Sequence, residues 1–411
     1  MKRARVAITG IGLVSPLGNA PQAVFDRLMG GESGLTLLEF PSESQQRPAV
    51  VGQIDAFDPS PWFSRLQLSG VDRASQFAVA ASEMALDDAG LHDFCGSDTT
   101  GVYIGCGMGG AGSIEQAYAG HFSPRPRVSP LAVVGGMTNA PAAHIAMRRQ
   151  ITGPVMTYSV ACASSAIAIG EAAQAIARNE LDCALAGGTE ALLYPGIIRA
   201  WQSMQTLAPP NANAPEYSCQ PFCSERNGLV LAEGSAMLVL ENLDRALARG
   251  AHIYAELSGY ASRCDAVHIA RPAPAGQVRT IQAALAQAGL SPADVGYCNA
   301  HGTATQAGDE SEWQALETVW EKQLGSLQVS STKSMHGHLL GAAGALEAAI
   351  TALALQRREI PPTAGSGTPD PACPLNVVRG RGIAQPDLRA AISNSFAFGG
   401  TNAVLVMQQA D

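Results

Sequence analysis

The stretch that decides the fold is VMTYSVACASSAIAIGEAAQAI, residues 155–176. It opens with β-branched and apolar residues, passes Cys162, and continues in small and apolar residues. This order predicts a strand over residues 155–161, a sharp turn at the cysteine and a helix after it. A cysteine at such a turn is either a structural residue or a nucleophile, and the rest of the chain has to distinguish the two.

The composition is that of a large, apolar globular protein. The chain has 411 residues, of which 46% are hydrophobic and 15% are charged, and this length favours two or three domains. The formal net charge of −9 argues against general nucleic-acid binding, which needs a basic surface. No run of about 18 apolar residues occurs, so no transmembrane helix is predicted.

Two further features bear on the compartment and on metal binding. The N-terminal segment MKRARVAITGIGLVSPLG has an apolar run that Gly10 and Gly12 interrupt, which favours a first strand and turn over a signal peptide. The nine scattered cysteines fit reduced thiols in a cytoplasmic protein. Cys219 and Cys223 lack a second pair of ligands at zinc-like spacing, so no metal site is predicted.

Short apolar runs alternate with alanine-rich helical patterns along the chain, which predicts an α/β fold with largely buried sheets. The segments ALDDAGL (85–91) and ALAQAGL (284–290) are alike, and this likeness indicates an internal duplication. A helical pattern that ends at Gly250 marks the boundary. We therefore predict an N-terminal half, residues 1–250, that carries Cys162, and a C-terminal half, residues 251–411.

Three segments of the chain place polar side chains among glycines and apolar residues. They are NAHGTATQAGDESE (299–312), SSTKSMHGHLLGAAGALEAAI (330–350) and ISNSFAFGGTNAVLV (392–406). Glycines in such loops let the backbone approach a ligand closely. Cys162 stands just before a predicted helix, whose unpaired N–H groups favour a thiolate. The candidate functional residues of the three segments are His301, Lys333, His338, Glu347 and Phe398.

Together, these segments resemble those of the β-ketoacyl-acyl carrier protein synthases, and the type II elongating enzymes and their nodulation-type branch look most similar. The resemblance spans essentially the whole chain. It implies a thiolase fold, in which two similar α/β halves stack in five αβαβα layers. It also implies a Cys-His-His active site, with Cys162 as the nucleophile and His301 and His338 as the two histidines.

The same resemblance implies supporting roles for residues around this centre. They comprise a pair of charged residues, oxyanion-binding backbone N–H groups, a gate loop, and hydroxyls that bind a phosphopantetheine arm. Lys333 and Glu347 match the charged pair, and Cys162 and Phe398 match the residues whose backbone N–H groups bind the oxyanion. Phe398 and Gly399 match the gate loop, and Thr303 and Thr305 match the hydroxyls that bind the arm.

Several positions depart from the common pattern of the family. In DAVHIARP (265–272), Ala270 and Arg271 stand where hydroxyl residues near the arm are common. His336 occupies a place where the elongating enzymes usually have a threonine. Met108 matches a position that shapes the far end of the acyl pocket, and we expect Met108→Ala to lengthen the accepted chain. These departures affect substrate preference rather than reaction class.

The resemblance implies a decarboxylating Claisen condensation between an acyl group on Cys162 and a malonyl group on an acyl carrier protein. No cofactor is expected on the enzyme, because the phosphopantetheine arm enters on the carrier. The carrier is acidic and so is this chain, so docking needs a local basic patch. The candidates for this patch are Arg65, Arg125 and Arg127. A homodimer is the expected assembly.

Three other interpretations remain for the sequence to separate. A non-catalytic chain-length factor would lack the active cysteine, whereas this chain has Cys162. A coenzyme A-dependent thiolase would carry a second cysteine near the C-terminus, and SNSFAFGGTN (393–402) has none. A catalytic subunit that works as a heterodimer with a chain-length factor stays open beside the homodimer.

Overall fold

The computed structural model describes residues 3–41, 45–92, 97–365 and 367–410. The strands in these ranges are β1 (Val6–Val14), β2 (Thr36–Leu38), β3 (Ala49–Gly52), β4 (Thr100–Gly105), β5 (Val155–Tyr158), β6 (Cys183–Glu190), β7 (Leu231–Ala232), β8 (Gly234–Asn242), β9 (Ala255–Cys264), β10 (Tyr297–Asn299), β11 (Gln328–Ser330), β12 (Glu359–Ile360), β13 (Ile383–Ala384), β14 (Ala390–Phe396) and β15 (Thr401–Gln408).

The α-helices of the same ranges are α1 (Pro21–Gly30), α2 (Arg65–Leu68), α3 (Arg73–Asp88), α4 (Ala111–His121), α5 (Ala132–Gly136), α6 (Ala140–Arg149), α7 (Ser164–Ala177), α8 (Pro195–Ser203), α9 (Leu243–Ala248), α10 (Pro274–Ala288), α11 (Gln306–Trp320), α12 (Lys333–His336) and α13 (Ala343–Arg357). Short 3-10 helices lie at Pro215–Tyr217, Pro292–Asp294, Glu321–Ser326 and Leu340–Ala342. No helix in these ranges is long and apolar enough to cross a membrane.

The main sheet is built from two halves with the same topology. The order in the first half is β1-β8-β6-β4-β5 and in the second β9-β15-β14-β10-β11. In each half, the strand that comes first in the sequence pairs antiparallel with the strand that comes last: β1 with β8, and β9 with β15. The two pairings farthest from the joint are parallel, those of β4 with β5 and β6 and those of β10 with β11 and β14. The halves join where Ala7 and Ile8 of β1 pair with Glu256 and Ala255 of β9. This repeated order confirms the predicted architecture of two similar α/β halves.

The helices divide the molecule into five layers. Helices α7 and α13 contact strands of both halves and therefore lie between them, whereas α3 packs on the outside of the first half and α10 on the outside of the second. A helix covered on all sides has to be apolar on all sides, and α13 is buried from Ala343 to Leu355. Gly170 lets the ring of Tyr260 pack against α7, because a Cβ at this position would lie 2.2 Å from that ring.

The turn at Cys162 joins β5 to α7. Ala161 takes a left-handed backbone with φ of 45°, a conformation that non-glycine residues seldom adopt. The Ser164 hydroxyl stabilises the turn, because it accepts from the Val160 N–H at 2.8 Å and donates to the Ala161 carbonyl. Cys162 therefore projects from a strained strand-to-helix turn between the two halves of the main sheet.

Candidate active site

Cys162, His301 and His338 are far apart in the sequence and meet in the structure. The Nε2 atom of His338 lies 2.9 Å from Sγ of Cys162. The two imidazole rings are 5.4 Å apart between centroids and nearly perpendicular, at 82°. The sulfur and one nitrogen of each ring all lie within 4.8 Å of one another. A thioester carbonyl bound at the sulfur is therefore close to both histidines.

Glu312 of α11 fixes the loop that carries His301. The backbone N–H groups of His301 and Gly302 donate to its carboxylate at 2.8 and 2.7 Å, and Asn394 Nδ2 donates at 3.0 Å. Asp309, one helical turn earlier, accepts from the backbone of the same loop at Ala304. The sequence predictions omitted both carboxylates, although their spacing of three residues puts them on one helix face next to the loop.

The backbone around His338 is held by the segment that forms β7. The His338 N–H donates to the carbonyl of Val230 at 2.7 Å, and the His338 carbonyl accepts from the N–H of Ala232 at 3.0 Å. His338 lies just beyond α12, which begins with Lys333. The chain thus presents Lys333 and His338 from opposite ends of a single short turn.

Burial dominates the protonation of the site. It raises the pKa of the Cys162 thiol to about 12, although the Lys333 charge and hydrogen bonds from the backbone N–H groups of Phe398 and Cys162 lower it. Burial and the Lys333 charge lower the pKa of His301 and of His338 well below the usual value. The resting proton therefore sits on the sulfur, which donates to His338 Nε2.

The expectation of a resting thiolate at the helix start is accordingly wrong. Helix α7 begins at Ser164, two residues beyond Cys162, and loss of water around the sulfur outweighs the field of the helix end. The backbone N–H groups of Cys162 and Phe398 nevertheless converge on the sulfur. Their predicted role in binding the oxyanion of an acyl group on this sulfur stays a prediction.

Lys333 and Glu347 form a buried ion pair between α12 and α13. The Lys333 ammonium contacts Glu347 Oε1, and the two side chains are 0% and 1% exposed. Burial raises the pKa of Glu347 to about 7, and the neighbouring ammonium acts in the opposite direction. The pair places a positive charge beside both imidazoles and holds it there.

A cavity of about 180 Å³ joins the cysteine to the surface. Its buried end is lined by Cys162, His301 and His338, and its exposed end by residues 268–271. Thr303 and Thr305 line the wall, with their hydroxyls 3.0 Å apart. The predicted arm-binding positions, including Ala270, thus share one cavity with the nucleophile.

Phe398 separates this cavity from a second depression. Its ring lines the cavity and stacks on Trp201 of α8, with 6.2 Å between centroids and 24° between planes. Gly399 follows with φ of 87° and donates its N–H to the Ile269 carbonyl at 2.7 Å. The predicted gate residues therefore lie in a loop tied to the exposed end of the cavity.

Met108 lies beyond this stacked pair and does not line the cavity that holds Cys162. Its side chain is 46% exposed and lines an apolar depression of about 400 Å³ together with Trp201. The loop of Met108 is held by buried Glu190, which accepts backbone N–H groups of Met108 at 3.2 Å and of Gly107 at 2.7 Å. The stacked pair of Trp201 and Phe398 joins the lining of this depression to the lining of the cavity that holds Cys162.

The three candidate docking arginines are all exposed. Arg65 is the first residue of α2, and Arg125 and Arg127 lie in the loop after α4. Arg127 lines a polar depression of about 440 Å³ together with residues 68–73, which run from the end of α2 to the start of α3. Arg65 lies on the helix that leads to this depression, and neither Arg65 nor Arg125 lines it.

The donor atoms of the site are also of the types that zinc binds. Within the described residues, Cys162, His301 and His338 are the group in which three such donors converge. A metal ion there would occupy the sulfur that an acyl group needs. Cys219 and Cys223 are buried free thiols, and the absence of a metal site stays a prediction.

The two halves of the chain match known sequence families. Residues 3–246 match the family described as Beta-ketoacyl synthase, N-terminal domain, and residues 254–366 match Beta-ketoacyl synthase, C-terminal domain. The chain belongs to the β-ketoacyl synthase family. The recognition of this family from the sequence is confirmed, and the protein is a condensing enzyme of the acyltransferase class that serves fatty acid or polyketide elongation.

Named relatives and solved structures are similar to this β-ketoacyl synthase over essentially its whole length. The 3-oxoacyl-[acyl-carrier-protein] synthase 2 of Synechocystis sp. is 37% identical over 413 residues, covering 100% of this chain and 99% of the relative. The ishigamide ketosynthase/chain length factor superposes with a TM-score of 0.92 at 33% identity, over 100% of both chains. A ketosynthase solved with its type II PKS acyl-carrier protein and bound to the hexaketide gives 0.91 at 30% identity, over 99% of this chain and 100% of that chain. The predicted thiolase fold is thereby confirmed.

Proposed function

We propose that this β-ketoacyl synthase elongates an acyl chain held on Cys162 by two carbons taken from malonyl-acyl carrier protein. The observation that carries the proposal is the contact of 2.9 Å between Cys162 Sγ and His338 Nε2, with His301 beside it at the end of one cavity. The names of the relatives, which include 3-oxoacyl-[acyl-carrier-protein] synthase 2 and ketosynthases, support the same reaction.

Acyl transfer begins from the neutral Cys162–His338 pair. When the carrier thioester enters, His338 Nε2 takes the proton of the thiol as the sulfur attacks the carbonyl carbon. The backbone N–H groups of Cys162 and Phe398 stabilise the resulting oxyanion. The C–S bond to the carrier breaks, and the carrier thiolate leaves and takes the proton from His338. Cys162 is then a thioester, and both imidazoles are neutral again.

Condensation uses the same imidazoles as hydrogen-bond donors. The malonyl thioester loses its carboxylate as CO2, and the electron pair of the broken C–C bond passes into an enolate. Once the thiol is acylated, Nε2 of His338 no longer accepts from it, and the neutral ring takes the tautomer that carries its proton on Nε2. His301 and His338, which burial keeps neutral, then donate N–H groups to the enolate oxygen. The enolate carbon attacks the acyl carbonyl on Cys162, the C–S bond breaks, and the cysteine thiolate takes up a proton from water.

The direct test is product analysis with acyl-carrier and malonyl-carrier thioesters. The wild-type protein is expected to release CO2 and a 3-oxoacyl-carrier two carbons longer than the donor. His301→Ala and His338→Ala should each lower the condensation rate by about 10²–10³, the usual loss for one donor to a developing oxyanion. Release of CO2 without a longer product in the wild type would contradict the proposal.

The carrier's phosphopantetheine arm supplies the thiol, so the proposed reaction needs no cofactor bound to the enzyme. The arm is proposed to enter past Ala270 and to contact the hydroxyls of Thr303 and Thr305, which line the cavity. Every cysteine of the described residues is free, and this supports a reducing, cytoplasmic setting.

A dimer formed through β5 is the proposed assembly. β5 is the outer strand of the first half, and its residues Val155 and Met156 are 38% and 44% exposed. An edge strand with exposed apolar side chains is a template for pairing with another chain. A second copy is the first candidate partner. A chain-length factor is the second, because the similar ishigamide structure is of a ketosynthase/chain length factor.

A further inference from the structure

His336 lies two residues before His338 and is fully buried. Its Nδ1 atom lies 2.7 Å from the carbonyl oxygen of Gly337, and its Nε2 atom lies 3.0 Å from Oγ1 of Thr332. A carbonyl oxygen can only accept a hydrogen bond, so Nδ1 carries the proton and Nε2 accepts from the Thr332 hydroxyl. Burial and the Lys333 charge lower the pKa of His336 to about 3, so the ring is neutral.

The ring of His336 joins the two ends of the segment that carries the ion pair and the histidine. Thr332 is the N-cap residue of α12 and precedes Lys333. Gly337 is the C-cap residue and precedes His338. A single side chain therefore ties the start of α12 to the peptide group that leads into His338.

That peptide group is held at both of its polar atoms, because its N–H donates to the Val230 carbonyl at 2.7 Å and its carbonyl bonds to the ring of His336. Gly337 has φ of 73°, in the region that glycine enters most easily, and glycine is also the residue with the least restricted backbone. Beyond it, the Nδ1 atom of His338 has no hydrogen-bond partner among the described residues. The direction of an imidazole is commonly set by the hydrogen bond at its second nitrogen, so here the backbone has to set it.

We propose that His336 is a positioning residue for His338. By holding the Gly337 carbonyl and the Thr332 hydroxyl together, it fixes the backbone that aims His338 Nε2 at the sulfur of Cys162. The inference rests on the proposed function, because it assigns consequences to the orientation of His338. His336 itself does not belong to the described residues that line the cavity, and it acts on the reaction through His338.

The test compares two replacements of similar size in the full-length protein. His336→Asn retains an N–H donor near the position of Nδ1, whereas His336→Leu removes both hydrogen bonds. We expect kcat of condensation, per Cys162 that can be acylated, to fall about 10–100-fold in His336→Leu, the loss expected when a reacting group is misplaced by about 1 Å. The KM for malonyl-carrier should stay unchanged, and His336→Asn should recover most of kcat.

Two results would overturn the inference. One is a His336→Leu variant with wild-type kcat per acylated site. The other is an equal loss of kcat in both variants that parallels a fall in their thermal unfolding midpoints, since a merely structural residue would show that pattern. If neither variant folds, Thr332→Val decides, because the Thr332 side chain makes no capping bond to α12. An unchanged kcat in Thr332→Val would then contradict the proposal, and a lower kcat at unchanged KM would support it.

Failure of the His336 inference can be distinguished from failure of the proposed function. His338→Ala tests the catalytic role of His338 alone. If the wild-type protein forms no longer product, the proposed function fails whatever the His336 variants do, and if His338→Ala retains full condensation, the catalytic role of His338 and the positioning role of His336 fail while the elongation itself stands. If His338→Ala is inactive and the His336 variants behave like the wild type, the positioning role alone fails.

Discussion

At the centre of the site, burial rather than ion pairing determines which side chains are protonated. Cys162 keeps its proton because the thiolate would lose its water, and His301 and His338 stay neutral for the same reason. The buried Lys333 ammonium reinforces this arrangement, since its charge disfavours a second cation nearby. The histidines can therefore donate hydrogen bonds to an enolate without supplying it with a proton.

This electrostatic role of Lys333 predicts a pH dependence. The pKa of each catalytic histidine lies below its usual value, so both stay neutral and kcat should hold as the pH falls from 8 to 6. Lys333→Met removes the nearby charge and raises both pKa values, so the loss of kcat on the acid side should move to higher pH. Glu347→Gln keeps the ammonium, so the loss of kcat on the acid side should not move to higher pH in this variant. Profiles of kcat against pH that coincide for Lys333→Met and the wild type would refute this role.

The sequence located the reactive residues through its motifs but not their protonation. Cys162, His301 and His338 were selected because four segments together resemble one family, and the structure brings these three side chains together. The resting thiolate was wrong because the depth of burial depends on how both halves pack around the turn. Glu312 was missed because its three donors come from the His301 loop and from β14, which are brought to α11 only in the folded chain.

At the scale of elements, helix α8 and the gate loop lie between the nucleophile and Met108. Trp201 and Phe398 form the stacked pair at this point. Replacing Trp201 with Ala removes the partner of Phe398 and should open the way to the apolar depression, so longer acyl chains should acylate Cys162. Met108→Ala should lengthen the chain further only when Trp201 is also replaced. Acylation rates across a chain-length series measure this, and identical profiles for all variants would rule it out.

The loop at the exposed end of the cavity predicts a contact with the carrier's arm. Arg271 is exposed, lines the cavity, and is held by a backbone bond of 3.1 Å to His268 Nδ1. We expect it to bind the phosphate of the arm. Arg271→Ala should therefore lower kcat/KM for acyl-phosphopantetheine about tenfold, the value of a hydrogen bond to a charged group, and leave acyl-pantetheine unaffected.

The matched control for this prediction is Arg263→Ala, at an exposed arginine of β9. It should change neither substrate. Equal losses for the two substrates in Arg271→Ala would show that the arginine does not contact the phosphate.

Helices and strands were predictable from the sequence where the hydrophobic pattern is long. Their bounds were less predictable where contacts with distant parts of the chain determine them. The helix after Cys162 appears as predicted, because its small residues suit a helix packed on all sides. The strand before it was expected to continue to Ala161, but β5 ends at Tyr158. After Tyr158 the backbone bonds leave the sheet: the Val160 N–H donates to the Ser164 hydroxyl instead of a neighbouring strand, and Ala161 takes a left-handed backbone.

For the whole molecule, the free edge of the sheet at β5 predicts the assembly. Met156→Lys places a charge on this exposed edge, and charges on edge strands block pairing between chains. The variant is expected to be monomeric in analytical ultracentrifugation, whereas the wild type is expected to be dimeric. Leu247→Lys, at an exposed leucine of α9, is the control and should leave the dimer intact. A Met156→Lys dimer as tight as the wild type would exclude the β5 edge as the interface.

The duplication of the fold was visible in the sequence only as two short similar segments. The identical strand order of the halves shows it far more clearly, because topology records which strands pair and a local pattern does not. The duplication also has a functional consequence. It sets α7 of the first half beside α13 of the second, so that the cysteine of one half meets the histidines of the other.

The central claim is that Cys162 carries the acyl chain and passes it to a malonyl-derived carbon. The most direct test follows the mass of the intact protein, first with an acyl-carrier thioester alone and then after adding malonyl-carrier. We predict one acyl adduct that is lacking in Cys162→Ala and that disappears in the second step as a 3-oxoacyl-carrier two carbons longer is formed. An adduct that persists in Cys162→Ala, or one that malonyl-carrier does not discharge, would contradict the account.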